Sequence, residues 1–288
     1  MQNRHILITG TSTGIGRATA LMLAEHGYIV HANVRRQIDA EHLIEASKGK
    51  IRPLIADVVV AAERAALLLE LTRRVGDLGL YSLINNAGTN LNGAFEHQQQ
   101  SDARALMELN FFAPIALMQE ALPLLRKHQT TGSNPRIINI GSIGSRIGFP
   151  WEAFYHASKF ALVGLSESVR QELRPHKIAV CVVLPGGIKT PFLAKTVDSI
   201  DQAMAQLPKS PASDLYRRSL ATMKRTAKLA ERWGSPPTAV ASSILSLLGQ
   251  RNPRFQTYVG MDAKIARTLH TILPTSWAHL IWRRGFGT

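Results

Sequence analysis

What the 288-residue chain lacks narrows its nature first. It has a single cysteine, so no disulfide framework within the chain can staple it. That residue, Cys181, sits inside the apolar run IAVCVVL and reads as a core residue in a reducing compartment. No apolar run reaches the roughly 18 residues of a membrane-spanning helix. The apolar stretch in the opening MQNRHILITG is only one strand long, unlike a signal peptide. A cytoplasmic globular protein is expected. Acidic residues are scarce: 20 Asp and Glu stand against 34 Lys and Arg, a formal charge of +14. The imbalance concentrates after residue 208, where 13 basic residues face 3 acidic ones. Such a region can meet an anionic surface or substrate, or simply keep a face solvated. No aromatic-plus-basic motif accompanies it, so a nucleic-acid partner is not expected.

What is present is an alternation. HILIT (5–9), YIVHANV (28–34), IRPLIA (51–56), YSLIN (81–85), RIINIG (136–141), IAVCVVL (178–184) and QTYVG (256–260) read as strands. Helical patterns such as GRATALMLAEHG, AAERAALLLELTRRV, SDARALMELNFFAPIALMQEALPLLRK and WEAFYHASKFALVGLSESVRQELR lie between them. Nearly continuous apolar strands alternating with helices predict an α/β fold, a parallel sheet of about seven strands covered on both faces. With 45% hydrophobic residues, residues 1–288 suffice for one domain with a full core. The rhythm breaks at 191–237, which holds Pro191, Pro208, Pro211, Pro236 and Pro237 among basic helical material. An insertion of that length reads as a substrate loop or lid. Residues 262–288 form a basic C-terminal extension.

The first strand runs into TGTSTGIGRATALMLA (9–24), with glycines at 10, 14 and 16. They permit a tight turn and close approach of a pyrophosphate to the backbone, and the helix that follows aims its free amides at such an anion. The spacing differs from the usual G-x-G-x-x-G fingerprint. TGTSTGIG, then NNAG (85–88), Ser142, Tyr155 and Lys159, in that order, resembles the short-chain dehydrogenase/reductase family over about residues 5–190. The resemblance implies a doubly wound Rossmann-type domain and a nicotinamide cofactor. On this pattern Gly10, Ser12, Thr13, Gly14, Ile15 and Gly16 hold the pyrophosphate, Asp57 and Val58 meet the adenine, and Asn86, Ala87 and Gly88 line the cofactor. Pro185, Gly186, Ile188 and Thr190, within PGGIKTP (185–191), fix the carboxamide. An acid near the end of the second strand binds a ribose 2′-hydroxyl, whereas arginine accommodates a 2′-phosphate. Here that strand ends NVRRQ, so Arg35 and Arg36 point to NADP(H). Asp39 is the rival ribose ligand but falls too far past the strand.

Tyr155 and Lys159 are one helical turn apart. A free tyrosine titrates near pH 10, and a lysine ammonium beside it is expected to lower that value toward useful acid–base work. The resemblance gives Tyr155 the substrate proton, Ser142 the substrate oxygen and Asn110 a water path; Lys159 also takes the nicotinamide ribose. Ser145 competes with Ser142, and His156 reads as incidental. No metal is implied. SKFALVGLSESVRQEL, the VRR loop and YVGMDAKIARTLHTILP are similar to the steroid and retinol dehydrogenase branch of that family. A bulky apolar alcohol or ketone would then meet Ile143, Phe149, Trp151 and Phe192. The tail WAHLIWRRGFGT can serve as a peripheral membrane contact, a dimer contact or a lid. The family resemblance also implies a homo-oligomer, a dimer or tetramer. The competing readings are a non-catalytic nucleotide-sensing scaffold on the same fold, and a reductase of small or acyl-thioester carbonyls.

Overall fold

Residues 4–129 and 134–274, with Ser276, Trp277, Leu280 and Arg283 after them, are described by the computed structural model. The strands are β1 (His5–Ile8), β2 (Ile29–Val34), β3 (Ile51–Ile55), β4 (Ser82–Asn85), β5 (Arg136–Ile140), β6 (Ala179–Pro185) and β7 (Gln256–Val259). Successive residues along them enter different cores. Ile6 and Ile8 of β1 pack into one apolar cluster and Leu7 into another, and Ile138 and Ile137 of β5 divide the same way. A strand dry on both faces needs helices on both.

One face is covered by α1 (Gly14–Glu25), α2 (Gln37–Ala46) and α9 (Pro237–Gly249). The other is covered by α3 (Ala61–Val75), α5 (Ala113–Gln129) and α6 (Ala153–Leu173). All pairings are parallel, in the order β3-β2-β1-β4-β5-β6-β7. The winding reverses between β1 and β4, and the crevice at their carboxyl ends is where such sheets take ligands. Pro53, which has no N–H to donate, is tolerated because β3 is an edge strand. Cys181 is fully buried in the first core, where burial pushes its thiol up to about 11.

The helical pattern of 101–127 is realised as α4 (Gln100–Met107) and α5 joined by a π-helical turn, Glu108–Phe112. Asn110 lies in that wide turn, a feature frequent at functional sites. The 191–237 insertion is a pair of helices, α7 (Pro191–Gln206) and α8 (Pro211–Trp233). They share a small core of their own, Ala94, Ile200, Leu207, Leu220 and Met223. After β7 comes α10 (Met261–Ile272). Of the tail WAHLIWRRGFGT, Trp277, Leu280 and Arg283 are described, all exposed; the remainder lies outside the described residues. Among the described residues no helix is long and apolar enough to cross a membrane.

Candidate active site

The glycine turn leaves β1 and enters α1 with no room for side chains. Gly10 has φ +66°, and a Cβ there would sit 2.8 Å from the Ala87 Cα. A Cβ on Gly16 would lie 2.2 Å from the Gly10 carbonyl oxygen. Behind the turn, Asn86 Nδ2 donates to the Thr9 and Gly10 carbonyls, both at 2.9 Å, and the Asn86 and Ala87 amides donate to Thr9 Oγ1 at 3.0 Å. The Asn86 side chain thus braces the turn. Thr11 Oγ1 ties the turn to the Asn33 carbonyl at 2.9 Å. The Thr13 side chain makes no capping bond and is exposed, with Ser12 half-buried beside it. Ile15 packs against the core, so its contribution to an anion is its backbone N–H. Thr190 caps α7 over Gly14, whose Cβ would lie 3.2 Å from the Thr190 methyl. The residues present therefore fit a pyrophosphate held on backbone amides and closed from above by the β6–α7 turn.

Burial limits what two residues around this cradle can offer, and the expectations for Arg36 and Asp39 are corrected. Val58 is buried in the second core, which leaves its main chain to face a cofactor. Ile188 is likewise a core residue, and its main chain bridges to Ser235. Arg36 is not a free phosphate ligand: its Nε and Nη2 donate to the two Asp39 oxygens, each at 2.8 Å. Asp39, expected to fall too far away, is brought to the arginines by the first turn of α2, and the Arg36 hydrogen bond holds its carboxyl below the usual range. Arg35 is 73% exposed and meets Asp57 only at 3.9 Å. Asp57 Oδ1 accepts from the Val59 amide at 3.1 Å.

On α6, Tyr155 and Lys159 are both buried. The Ser142 side chain beside the Tyr155 phenol pulls its pKa down, against burial. Ser142 Oγ also accepts from the Gly144 amide at 3.0 Å. Ser145, the rival serine, is buried and turned back to accept from the Ser142 amide at 3.0 Å, so it holds Ser142 and does not face Tyr155. Lys159 Nζ donates to the Ile140 carbonyl at 2.9 Å, and burial lowers it to about 8. The expected lowering of Tyr155 by Lys159 is not what this arrangement produces. Burial pushes Tyr155 up, and the Glu152 carboxyl nearby adds to the rise. The physical reason is desolvation of a phenol whose lysine neighbour is directed at a carbonyl.

Asn110 Oδ1 accepts from the Thr89 amide at 2.8 Å, while Nδ2 donates to the Thr89 carbonyl at 2.8 Å and to Ser158 Oγ at 3.1 Å. Its amide locks the loop after β4 to α6. The Gly88 backbone passes between the two polar groups: a Cβ there would be 3.2 Å from Asn110 Oδ1 and 3.5 Å from Lys159 Nζ.

His156 is a residue the sequence reading passed over. Its Nδ1 donates to the Gly144 carbonyl at 2.8 Å and its Nε2 accepts from the Phe149 amide at 3.0 Å. The ring therefore spans the loop that carries Ser142 and is neutral, its pKa lowered chiefly by burial. The apolar wall divides. The Phe192 ring lies 6.3 Å from Tyr155, Ile143 and Phe149 are half-buried, and Trp151 belongs elsewhere. Trp151 Nε1 donates to Ser219 Oγ at 3.1 Å and its ring meets Tyr216 at 5.5 Å, which makes it a strut between the turn before α6 and α8.

A glycine cradle, a serine–tyrosine–lysine face and a doubly wound sheet define a dinucleotide-dependent oxidoreductase. Residues 4–201 match the short chain dehydrogenase family, and the chain belongs to it. Its relatives include a 3-ketodihydrosphingosine reductase of Bacteroides thetaiotaomicron, 35% identical over 90% of this chain and 89% of that protein. Mouse retinol dehydrogenase 5 is 29% identical over 93% and 84%. Mouse estradiol 17-beta-dehydrogenase 2 is 28% identical over 99% and 76%. Among solved structures, a short-chain dehydrogenase from Streptomyces avermitilis superposes with TM-score 0.78 at 26% identity, covering 98% of this chain and 96% of that one.

Proposed function

We propose that this oxidoreductase uses NADP(H) and interconverts a carbonyl and an alcohol on a bulky apolar substrate of steroid, retinoid or long-chain type. The observation that carries the reading is the burial of Tyr155 and Lys159 one turn apart on α6, with Ser142 beside the phenol at the start of the 143–145 turn. In the reductive direction Tyr155 gives its phenolic proton to the carbonyl oxygen while Ser142 holds that oxygen in place; oxidation reverses both. A bound nicotinamide supplies or accepts the hydride. Lys159 and Thr190 are assigned the nicotinamide ribose and carboxamide, and Asn110 fixes the loop that carries Gly88 against Lys159. Phe192 beside Tyr155 supports an apolar substrate, as do the names of the retinol, estradiol and ketodihydrosphingosine enzymes among the relatives.

The preference for NADP(H) is assigned to Arg35, the exposed guanidinium, and to the Thr13 hydroxyl left unused by the cap. Asp39 opposes it, because a 2′-phosphate must compete for Arg36. The test is a fluorescence titration with NADPH and with NADH on the wild type, Arg35→Ala and Asp39→Asn. NADPH should bind the wild type more tightly than NADH. Arg35→Ala should weaken NADPH on the order of tenfold, about 1.4 kcal/mol, with NADH little changed, and Asp39→Asn should strengthen NADPH several-fold by releasing Arg36. Equal affinity for both cofactors in all three proteins would overturn the preference.

A further inference from the structure

The turn from β6 into α7, residues 185–190, brings Thr190 over Gly14 of the cradle. Its main chain is held by later segments of the chain. The Gly186 amide donates to the Val259 carbonyl at 2.9 Å. The Gly187 carbonyl accepts from the Ser235 amide and the Lys189 amide donates to the Ser235 carbonyl, both at 2.9 Å. The Gly187 amide donates to Asp262 Oδ2 at 2.6 Å. Of these four bonds only the last is made by a side chain. Its acceptor is a carboxylate, so it is charge-assisted.

Asp262 stands in the first turn of α10, where the helix dipole favours a negative charge. The two glycines of PGGIKTP make room for it. A Cβ on Gly186 would overlap the carboxylate, and one on Gly187 would lie 3.5 Å from Asp262 Oδ2 and 3.1 Å from the Ala230 Cβ of α8. The same two glycines leave the peptide between them with little restraint of its own. Val259 and Ser235 fix the turn on either side of that peptide, and Asp262 fixes the peptide itself. A residue of the YVGMDAKIARTLHTILP segment, 75 positions along the chain from Gly187, therefore stiffens the turn that closes the cradle.

We propose that Asp262 is a positioning residue for the nicotinamide half of the cofactor. It holds the Gly186–Gly187 peptide, and through it the seat of Thr190 above Gly14, before the dinucleotide arrives. The ordering of a Gly-Gly turn is then complete in the free protein and is not charged against binding. This rests on the assignment of Thr190 to the carboxamide made above. Asp262 takes no part in hydride or proton transfer, and the adenine half, at the other end of the cofactor, does not depend on it.

The test separates the two halves. Fluorescence titration with NADPH and calorimetric titration with adenosine 2′,5′-bisphosphate, which lacks the nicotinamide, are run on the wild type, Asp262→Ala and Asp262→Asn. Asp262→Ala should weaken NADPH about tenfold and leave the bisphosphate within about twofold of the wild type. Asp262→Asn keeps an oxygen to accept the Gly187 N–H, and should hold NADPH within about threefold of the wild type. Asp262→Ser is too short to reach that amide and is read in the same way if the alanine variant does not fold. An equal loss of both ligands overturns the proposal, since it would make Asp262 a support of the whole cradle; so does NADPH affinity unchanged in Asp262→Ala. NADH and AMP, titrated alongside, keep this result apart from the cofactor preference. If the wild type favours NADH, a loss of NADH without a loss of AMP in Asp262→Ala still supports the role of Asp262, and equal losses of the two overturn it.

Discussion

Tyr155 enters the reaction with its phenol pushed above the ordinary tyrosine range by burial, with the Ser142 side chain pulling the other way. The neutral phenol is therefore the resting form, suited to giving a proton to a carbonyl oxygen. Removing only the hydroxyl, as in Tyr155→Phe, should lower kcat by about 10²–10⁴-fold with NADPH affinity within about twofold of wild type. Steady-state kinetics beside a cofactor titration check both halves. His156 acts at one remove, because its two hydrogen bonds span the segment that holds Ser142 and Phe149. His156→Ala leaves one buried acceptor and one buried donor unsatisfied, about 1–3 kcal/mol each. It should lower both the unfolding midpoint and kcat/KM, and His156→Gln should recover part of each. Denaturant unfolding and kinetics on the pair make the comparison. Equal losses in both variants would show that the ring's span is not what matters.

At the scale of elements, the helical pair α7–α8 is held over the site by few attachments. Asn90 donates to Thr196 Oγ1 at 2.6 Å, Asn92 hydrogen-bonds Ser199, and Trp151 reaches Ser219 and Tyr216. Trp151 also has φ +73°, a left-handed conformation rare for a bulky residue, and its carbonyl accepts from the Gly93 amide at 2.9 Å. Two costs can thus be separated. Trp151→Gly removes the strut and relieves the backbone; Trp151→Ala removes the strut and keeps the backbone strained. Both should speed proteolysis between α7 and α8 and raise KM, and the alanine variant should be the less stable by about 1 kcal/mol. Limited proteolysis with thermal melts reads the difference. Unchanged cleavage would mean that the asparagine attachments, the Ala94 core and the His97–Tyr216 contact hold the pair without Trp151.

Across the whole molecule, charge and burial set the response to acid. His5 of β1 and His31 of β2 stack with ring centroids 5.2 Å apart and share a 2.9 Å hydrogen bond, both buried. Burial, aided by Arg52, Arg74 and His128 and by the pair's mutual repulsion, lowers them to about 4 and about 3. The unfolded chain takes up these protons below its ordinary histidine value of 6.5 and the native state does not. The stability they allow is complete above pH 6.5 and is lost as pH falls toward 4 and then 3. Glu152 works in the opposite sense between about 7 and its unfolded value, because the native state binds that proton more readily. His128 and His156, also lowered chiefly by burial, act in the same direction as His5 and His31, so the histidines outweigh Glu152 and stability falls between pH 7 and pH 5. Denaturant midpoints measured against pH should fall over that interval, and His5→Leu/His31→Leu should flatten the fall.

The α/β class, the seven strands and the order of the catalytic groups were legible in the sequence because each depends on local pattern. Apolar runs specify strands, and glycines at 10, 14 and 16 specify a turn without side chains. Tyr155 and Lys159 share a helix face by spacing alone. Helices α2 and α9 are weakly marked in the sequence, because their apolar positions define a face only once the sheet is beside them. The sequence reading dismissed Asp39, since chain distance from β2 says nothing of how α2 turns back toward Arg36. Trp151 resembled a pocket wall until α8 packed against it, and His156 looked incidental because its partners lie 7 and 12 residues away in the chain. The acidity of Tyr155 and the buried setting of Glu152 were decided by tertiary structure alone. Desolvation and the direction of Lys159 depend on what surrounds a side chain, and no local pattern records that.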